Sequence, residues 1–177
     1  MKPASSPYGE TAIAHLVSEL RKGMEHWNED VDALKALTKR GMTPGEARGI
    51  TQEEYEALYG IACDLRDGED LPSALVIALH LVYNSGRDSR FSFLAGTCLQ
   101  QLGVHPNASQ LFAHAILLDD THVAAIYRLG ECLSAQGKIA EAIEAFEATI
   151  KQACAGDDHR EFQVLAAERL ASLQAGG

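Results

Sequence analysis

Three consecutive blocks decide the fold: YEALYGIACDLRDGEDLPSALVIALHLVYNSGRD (residues 55–88), SRFSFLAGTCLQQLGVHPNASQLFAHAILLDDTH (89–122) and VAAIYRLGECLSAQGKIAEAIEAFEATIKQACAG (123–156). Started at Tyr55, Ser89 and Val123, they stay in register for 34 residues each without a gap. The eighth positions are Ala62, Gly96 and Gly130, and the twentieth are Ala74, Ala108 and Ala142. The eleventh are Leu65, Leu99 and Leu133, and the twenty-fourth are Ala78, Phe112 and Phe146. Small residues at 8 and 20 with apolar ones at 11 and 24, on a 34-residue period, mark the tetratricopeptide repeat. Each repeat is a helix–turn–helix whose two helices approach closely only where small side chains face each other. The expectation is an all-α chain: a superhelix of three helix–turn–helix repeats with helical additions at both ends.

Working outward, Thr51-Gln52-Glu53-Glu54 reads as a capping box that starts the first repeat. Pro72 and Pro106 stand 34 residues apart in the first turn of each second helix, where a missing amide costs nothing. Gly103 and Gly137 occupy the fifteenth position of their repeats, whereas Gly68 sits at the fourteenth and is expected to supply the positive backbone angle of the first turn. Upstream, Gly41 to Gly45 breaks the helical pattern and Gly49 interrupts the short segment that follows. Residues 10–40 carry one long helical pattern. Within it Leu20, Met24, Trp27, Val31 and Leu34 step by four and three, a heptad-like seam that must bury against the repeats or against a second copy of the chain. Residues 1–9, with two prolines, two serines and a glycine, read as disordered. After the repeats, Asp158 to Glu161 is a second start signal, and the stripe Phe162, Leu165, Ala166, Leu170 and Leu173 predicts a helix over about 159–174 that caps the array. The division is therefore 1–9, a helical extension at 10–50, repeats at 51–156 and a capping helix in 157–177.

Fifteen basic against 25 acidic side chains give a formal charge of −10, which argues against nucleic acid as a direct partner. The amino-terminal residues lack the apolar core of a secretory signal, and no run nears the ~18 apolar residues of a membrane span, so a cytosolic protein is expected. Cys63, Cys98, Cys132 and Cys154 lie about a repeat apart with no close pair, and read as reduced thiols rather than a metal site or disulfides. The seven histidines form no HExxH, and there is no GxSxG, Walker loop or GxGxxG. Neither a catalytic residue nor a cofactor is expected, and the chain reads as a binding protein rather than an enzyme.

In such arrays positions 2, 5, 9 and 12 of each first helix point into the concave groove. Those places hold Glu56, Tyr59, Cys63 and Arg66 in the first repeat; Arg90, Phe93, Thr97 and Gln100 in the second; Ala124, Tyr127, Glu131 and Ser134 in the third. Position five is aromatic throughout: Tyr59, Phe93 and Tyr127. A row of rings with polar rims suits an extended peptide; the competing reading is that the rings tuck between adjacent first helices. A clamp for a carboxyl-terminal carboxylate would need Lys and Asn in the first repeat, where Tyr59 and Cys63 stand.

The strings Glu54 to Ala62, Asp88 to Cys98 and Gly130 to Leu133 resemble the class II type III secretion chaperones, the LcrH/SycD group of translocator chaperones. The likeness is close over about residues 41–156 and follows the same order of parts over the whole chain. It implies a bacterial cytosolic chaperone that holds hydrophobic pore-forming translocators soluble until secretion, without ATP, by gripping a short extended segment in the groove. It matches Tyr59 to the family's first groove aromatic and Phe93 to the equivalent place in the second repeat. Cys63 and Arg66 stand where further aromatics are usual, a departure that bears on pocket shape and client sequence. The resemblance also implies dimerisation through the amino-terminal helix in many members, and a transcription factor as partner in some.

Overall fold

The computed structural model describes residues 10–24, 37, 39–154 and 159–175. All the described regular elements are helical. The helices are α1 (Glu10–Met24), α2 (Pro44–Arg48), α3 (Gln52–Asp67), α4 (Leu71–Asn84), α5 (Ser89–Gln101), α6 (His105–Leu118), α7 (Val123–Ala135), α8 (Ile139–Ala153) and α9 (Arg160–Ala175). The pairs α3/α4, α5/α6 and α7/α8 are the three repeats, in the register the 34-residue period sets. Two compact units divide the chain, residues 1–98 and 99–177.

Positions 8, 20 and 24 of the packing set are buried, while Leu65, Leu99 and Leu133 of position 11 are half-buried. Ala62, Ala74, Ala78, Ala108, Ala142 and Phe112 are fully buried, and Phe91 and Phe146 are each only 1% exposed. Burying a ring of that size contributes about 1.5–3 kcal/mol each. Gly130 shows why position 8 stays small: a Cβ there would lie 2.8 Å from the Phe146 ring.

In the first unit α1 packs on α4, burying Ile13 and Val17. Of the seam residues, Leu20 lies half-buried on α1; the side chain of Met24 and all of Trp27, Val31 and Leu34 fall outside the described residues. Capping boxes start both α2 (Thr43 with Glu46) and α3 (Thr51 with Glu54). The short α2 docks on α4 because Gly45 has no side chain. A Cβ there would overlap the Tyr55 hydroxyl and stand 2.9 Å from the Asn84 carbonyl oxygen. The fully buried Asn84 accepts from Arg48 Nη1 at 2.9 Å and donates to the His80 carbonyl at 2.9 Å. Its amide also meets His80 Nε2 at 3.1 Å, and the Arg48 guanidinium lies 5.6 Å from the Tyr83 ring centre.

Burial, then the Arg48 charge, pushes the His80 imidazole below its ordinary value. As pH falls through the ordinary histidine range the unfolded chain takes up a proton before the folded one does, so the stability present above that range is lost. Urea denaturation between pH 7.5 and 5.5 is expected to show that loss, at most about 1.4 kcal/mol per pH unit for one group, and His80→Gln is expected to flatten the slope.

One turn departs from the sequence expectation. Gly68 does not supply the positive angle, since its φ is −83°. The left-handed residue is Glu69 (φ 65°), at the fifteenth position, where the other repeats place Gly103 (φ 76°) and Gly137 (φ 74°). The repeat register outranked the glycine. Because a side chain in that conformation costs about 1–2 kcal/mol, Glu69→Gly is expected to stabilise the chain by about 1 kcal/mol. A thermal midpoint that stays put or falls would refute the strain.

Candidate functional site

On the first unit, α3 and α5 present side chains that the helix-packing set does not use. Tyr59 is half-buried; its ring stands 5.7 Å from Phe91, tilted by 44°. The Arg90 guanidinium lies 5.1 Å from the Tyr59 ring centre and 5.8 Å from that of Phe91. Such stacking is worth about 0.5–1 kcal/mol where the cation is exposed. Arg90 is held in place by two carboxylates, Asp88 just before α5 and Glu56 on α3. It donates to Asp88, at 2.6 Å from Nη2, and to Glu56, at 2.6 Å from Nη2 and 3.2 Å from Nη1. Asp88 first, and Glu56 second, push the guanidinium above its ordinary value. With 43% of the Arg90 side chain exposed, the network orients the ring more than it stabilises the fold.

Cys63 lies one turn beyond Tyr59 and is half-buried; burial raises its thiol, and burial followed by the adjacent Cys63 raises the Tyr59 phenol. Arg66, one further turn on, pairs with Asp67 at 2.8 Å. On α5, Phe93 is half-buried and the Thr97 hydroxyl donates to its carbonyl at 2.9 Å. So Tyr59, Cys63, Arg66, Arg90, Phe93 and Thr97 share one unit, each with partial exposure. Cys98 is fully buried, its thiol pushed up to about 11 by burial.

In the second unit the corresponding aromatic is placed differently. Tyr127 is 4% exposed, with ring centres of Phe146 and Phe162 each 5.7 Å away. Phe162 belongs to α9, so this ring is covered by a helix outside the three repeats. Burial raises the Tyr127 phenol, which bonds Arg169 of α9. Glu131 accepts from Gln100 at 3.0 Å, Arg128 at 2.9 Å and Arg169 at 3.3 Å, which accounts for two predicted groove residues as partners of each other.

Sequence reasoning missed Asp88, Phe162 and Arg169 as parts of these arrangements. A signal existed for the Arg90 tether: Glu56 and Arg90 are opposite charges at position 2 of successive repeats, 34 residues apart. Nothing comparable marked Arg169, because α9 lies beyond the repeating register.

Compared with known proteins, residues 67–149, just under half of the chain, match the profile of the family described as anaphase-promoting complex, cyclosome, subunit 3. A curated relative, the low calcium response locus protein H of Yersinia pestis, is 26% identical over 110 residues. That alignment takes in 62% of this chain and 66% of the relative, just short of two thirds of its length. Among solved structures, a T3SS complex from Aeromonas hydrophila superposes with a TM-score of 0.77 at 21% identity, covering 82% of this chain and 97% of the other. PcrH of Pseudomonas aeruginosa, solved with the chaperone-binding region of PopD, gives 0.70 at 23% identity over 72% of this chain and 96% of its own. The Yersinia enterocolitica translocator chaperone SycD gives 0.68 at 21% identity over 73% and 97%. The chain is all-α, built from tetratricopeptide-type repeats, and its fold is the fold of these chaperones.

Proposed function

We propose that this chain is a cytoplasmic bacterial chaperone of type III secretion translocators, a binding protein rather than an enzyme, which holds an extended client segment against its first helices and keeps the client soluble before export. The observation that carries the reading is the pair Tyr59 and Phe93. Both rings stay half-exposed on α3 and α5, whereas Ala62 and Gly96, the small packing residues of the same helices, are buried. Exposed rings beside Thr97, Cys63 and an immobilised Arg90 suit a peptide with apolar side chains at intervals and a polar backbone. The fold shared with chaperones solved on translocator segments, PopD for PcrH and YopD for SycD, supports the same choice.

The division into an extension (10–50), repeats (51–156) and a capping segment (157–177) belongs to this proposal, with the repeats as the part that grips. Among the described residues no helix is long and apolar enough to cross a membrane. The test is co-expression with each translocator of the same secretion system. A client that is insoluble alone is expected to become a soluble complex; failure with every translocator would sink the reading.

A further inference from the structure

A cavity of about 280 Å³ opens at the carboxyl-terminal ends of α7 and α9, wholly inside the second unit. Its apolar lining is Phe146, Leu173 and Ala135, and its polar lining is Ser134, Ser172, Glu131 and Arg169. Three small side chains leave the space open. On its other side the Phe146 ring packs against Gly130, where a Cβ would lie only 2.8 Å from it. Sites for drug-sized ligands start at about 300 Å³, so this one suits a side chain or two rather than a cofactor.

The polar lining has donors to spare. Both Glu131 carboxylate oxygens are engaged, by Gln100, Arg128 and Arg169. The final carbonyls of α7 are also taken: the Gln136 amide reaches Cys132 and Leu133 at 3.1 Å, Gly137 reaches Ser134 at 3.0 Å and Lys138 reaches Leu133 at 3.0 Å. The Ser134 and Ser172 hydroxyls make no hydrogen bond among the described residues. A guanidinium carries five N–H donors, and Arg169, with 60% of its side chain exposed, uses only part of them on Glu131 and Tyr127. Two arginines thus face one carboxylate, in a chain whose formal charge is −10.

We propose that this cavity is a peptide subsite that takes one apolar side chain of leucine size, with an adjacent carboxylate of the same peptide on Arg169 and the two serine hydroxyls. The proposal rests on the reading of the chain as a peptide-binding chaperone, and it adds the third repeat and α9 to the binding surface. It also gives α9 a purpose beyond closing the array: its Arg169 and Ser172, one turn apart, supply the polar half of the subsite.

The probe is the capped peptide acetyl-Gly-Leu-Asp-Gly-amide, titrated into the full chain and followed by the methyl signals of Leu173 and Ala135 and the Arg169 Nε–Hε signal. All three are expected to move together and saturate in the millimolar range. Replacing Asp by Lys, or Leu by Ala, is expected to weaken binding by about threefold or more. Ser172→Phe is expected to abolish the shifts; Ser134→Leu fills the cavity from the other side, and circular dichroism identifies whichever variant is folded. No saturating shift by about 10 mM, equal binding of the lysine peptide, or shifts that persist in a folded cavity-filled variant would overturn the proposal. Translocator co-expression separates this from the parent reading: a soluble complex with no peptide response at the cavity removes the subsite alone.

Discussion

Tyr59→Ala is expected to weaken binding of a translocator segment by about 1–2 kcal/mol, roughly tenfold in Kd, the scale of an interface hot spot. The ring is half-exposed, so truncation removes contact area for the client without emptying the core. Arg90 would lose the face it stacks on but keep Asp88 and Glu56, which leaves α3 and α5 tethered. The fold should therefore survive, with the thermal midpoint lowered only slightly through the lost Phe91 contact. Calorimetry with a translocator peptide decides: an unchanged Kd removes Tyr59 from the site. Tyr127→Ala is the informative contrast, because that ring is buried under α9 and its loss should appear as destabilisation first.

The second large effect is on stability. Gly45→Ala is expected to cost about 2–3 kcal/mol, the upper range for forcing an atom into a packed site. The new methyl would fall on the Tyr55 hydroxyl and against the Asn84 carbonyl, and neither can retreat easily. Asn84 is pinned by Arg48 and His80, and the Tyr55 ring is buried 6.0 Å from Phe91. The same geometry names the remedy. The Tyr55 hydroxyl is buried and meets no hydrogen-bond partner among the described residues. Tyr55→Phe removes an uncompensated polar atom and the worst of the overlap, leaving the tight Asn84 carbonyl contact, so the double variant is expected to recover about half of the loss. Additive losses in chemical denaturation would show that the two groups do not collide.

The repeat architecture was legible because its determinants recur. Ala62, Gly96 and Gly130 agree with one another, and a helix pair has few ways to satisfy small residues at both 8 and 20. The turn of the first repeat was not legible from its glycine, because register and not residue type puts Glu69 into the left-handed region. Groove positions were legible only as a list. What separates Tyr59 from Tyr127 is the neighbour each meets, Phe91 for one and Phe162 of a non-repeating helix for the other. Periodicity carries no information about that second partner. The close approach of Gly45 to Tyr55 was likewise invisible, since it depends on how a five-residue helix docks rather than on any spacing.

The uneven burial of the four thiols turns the chain into its own reporter. Cys98 and Cys132 are sealed, with thiols pushed up to about 11, while Cys154 is exposed and removable by Cys154→Ser. That leaves Cys63, half-buried beside the Tyr59 ring, as the sole position open to slow alkylation in mildly alkaline buffer. A single maleimide reaction, timed with and without client, then becomes a footprint of occupancy at the face where the client is expected to lie.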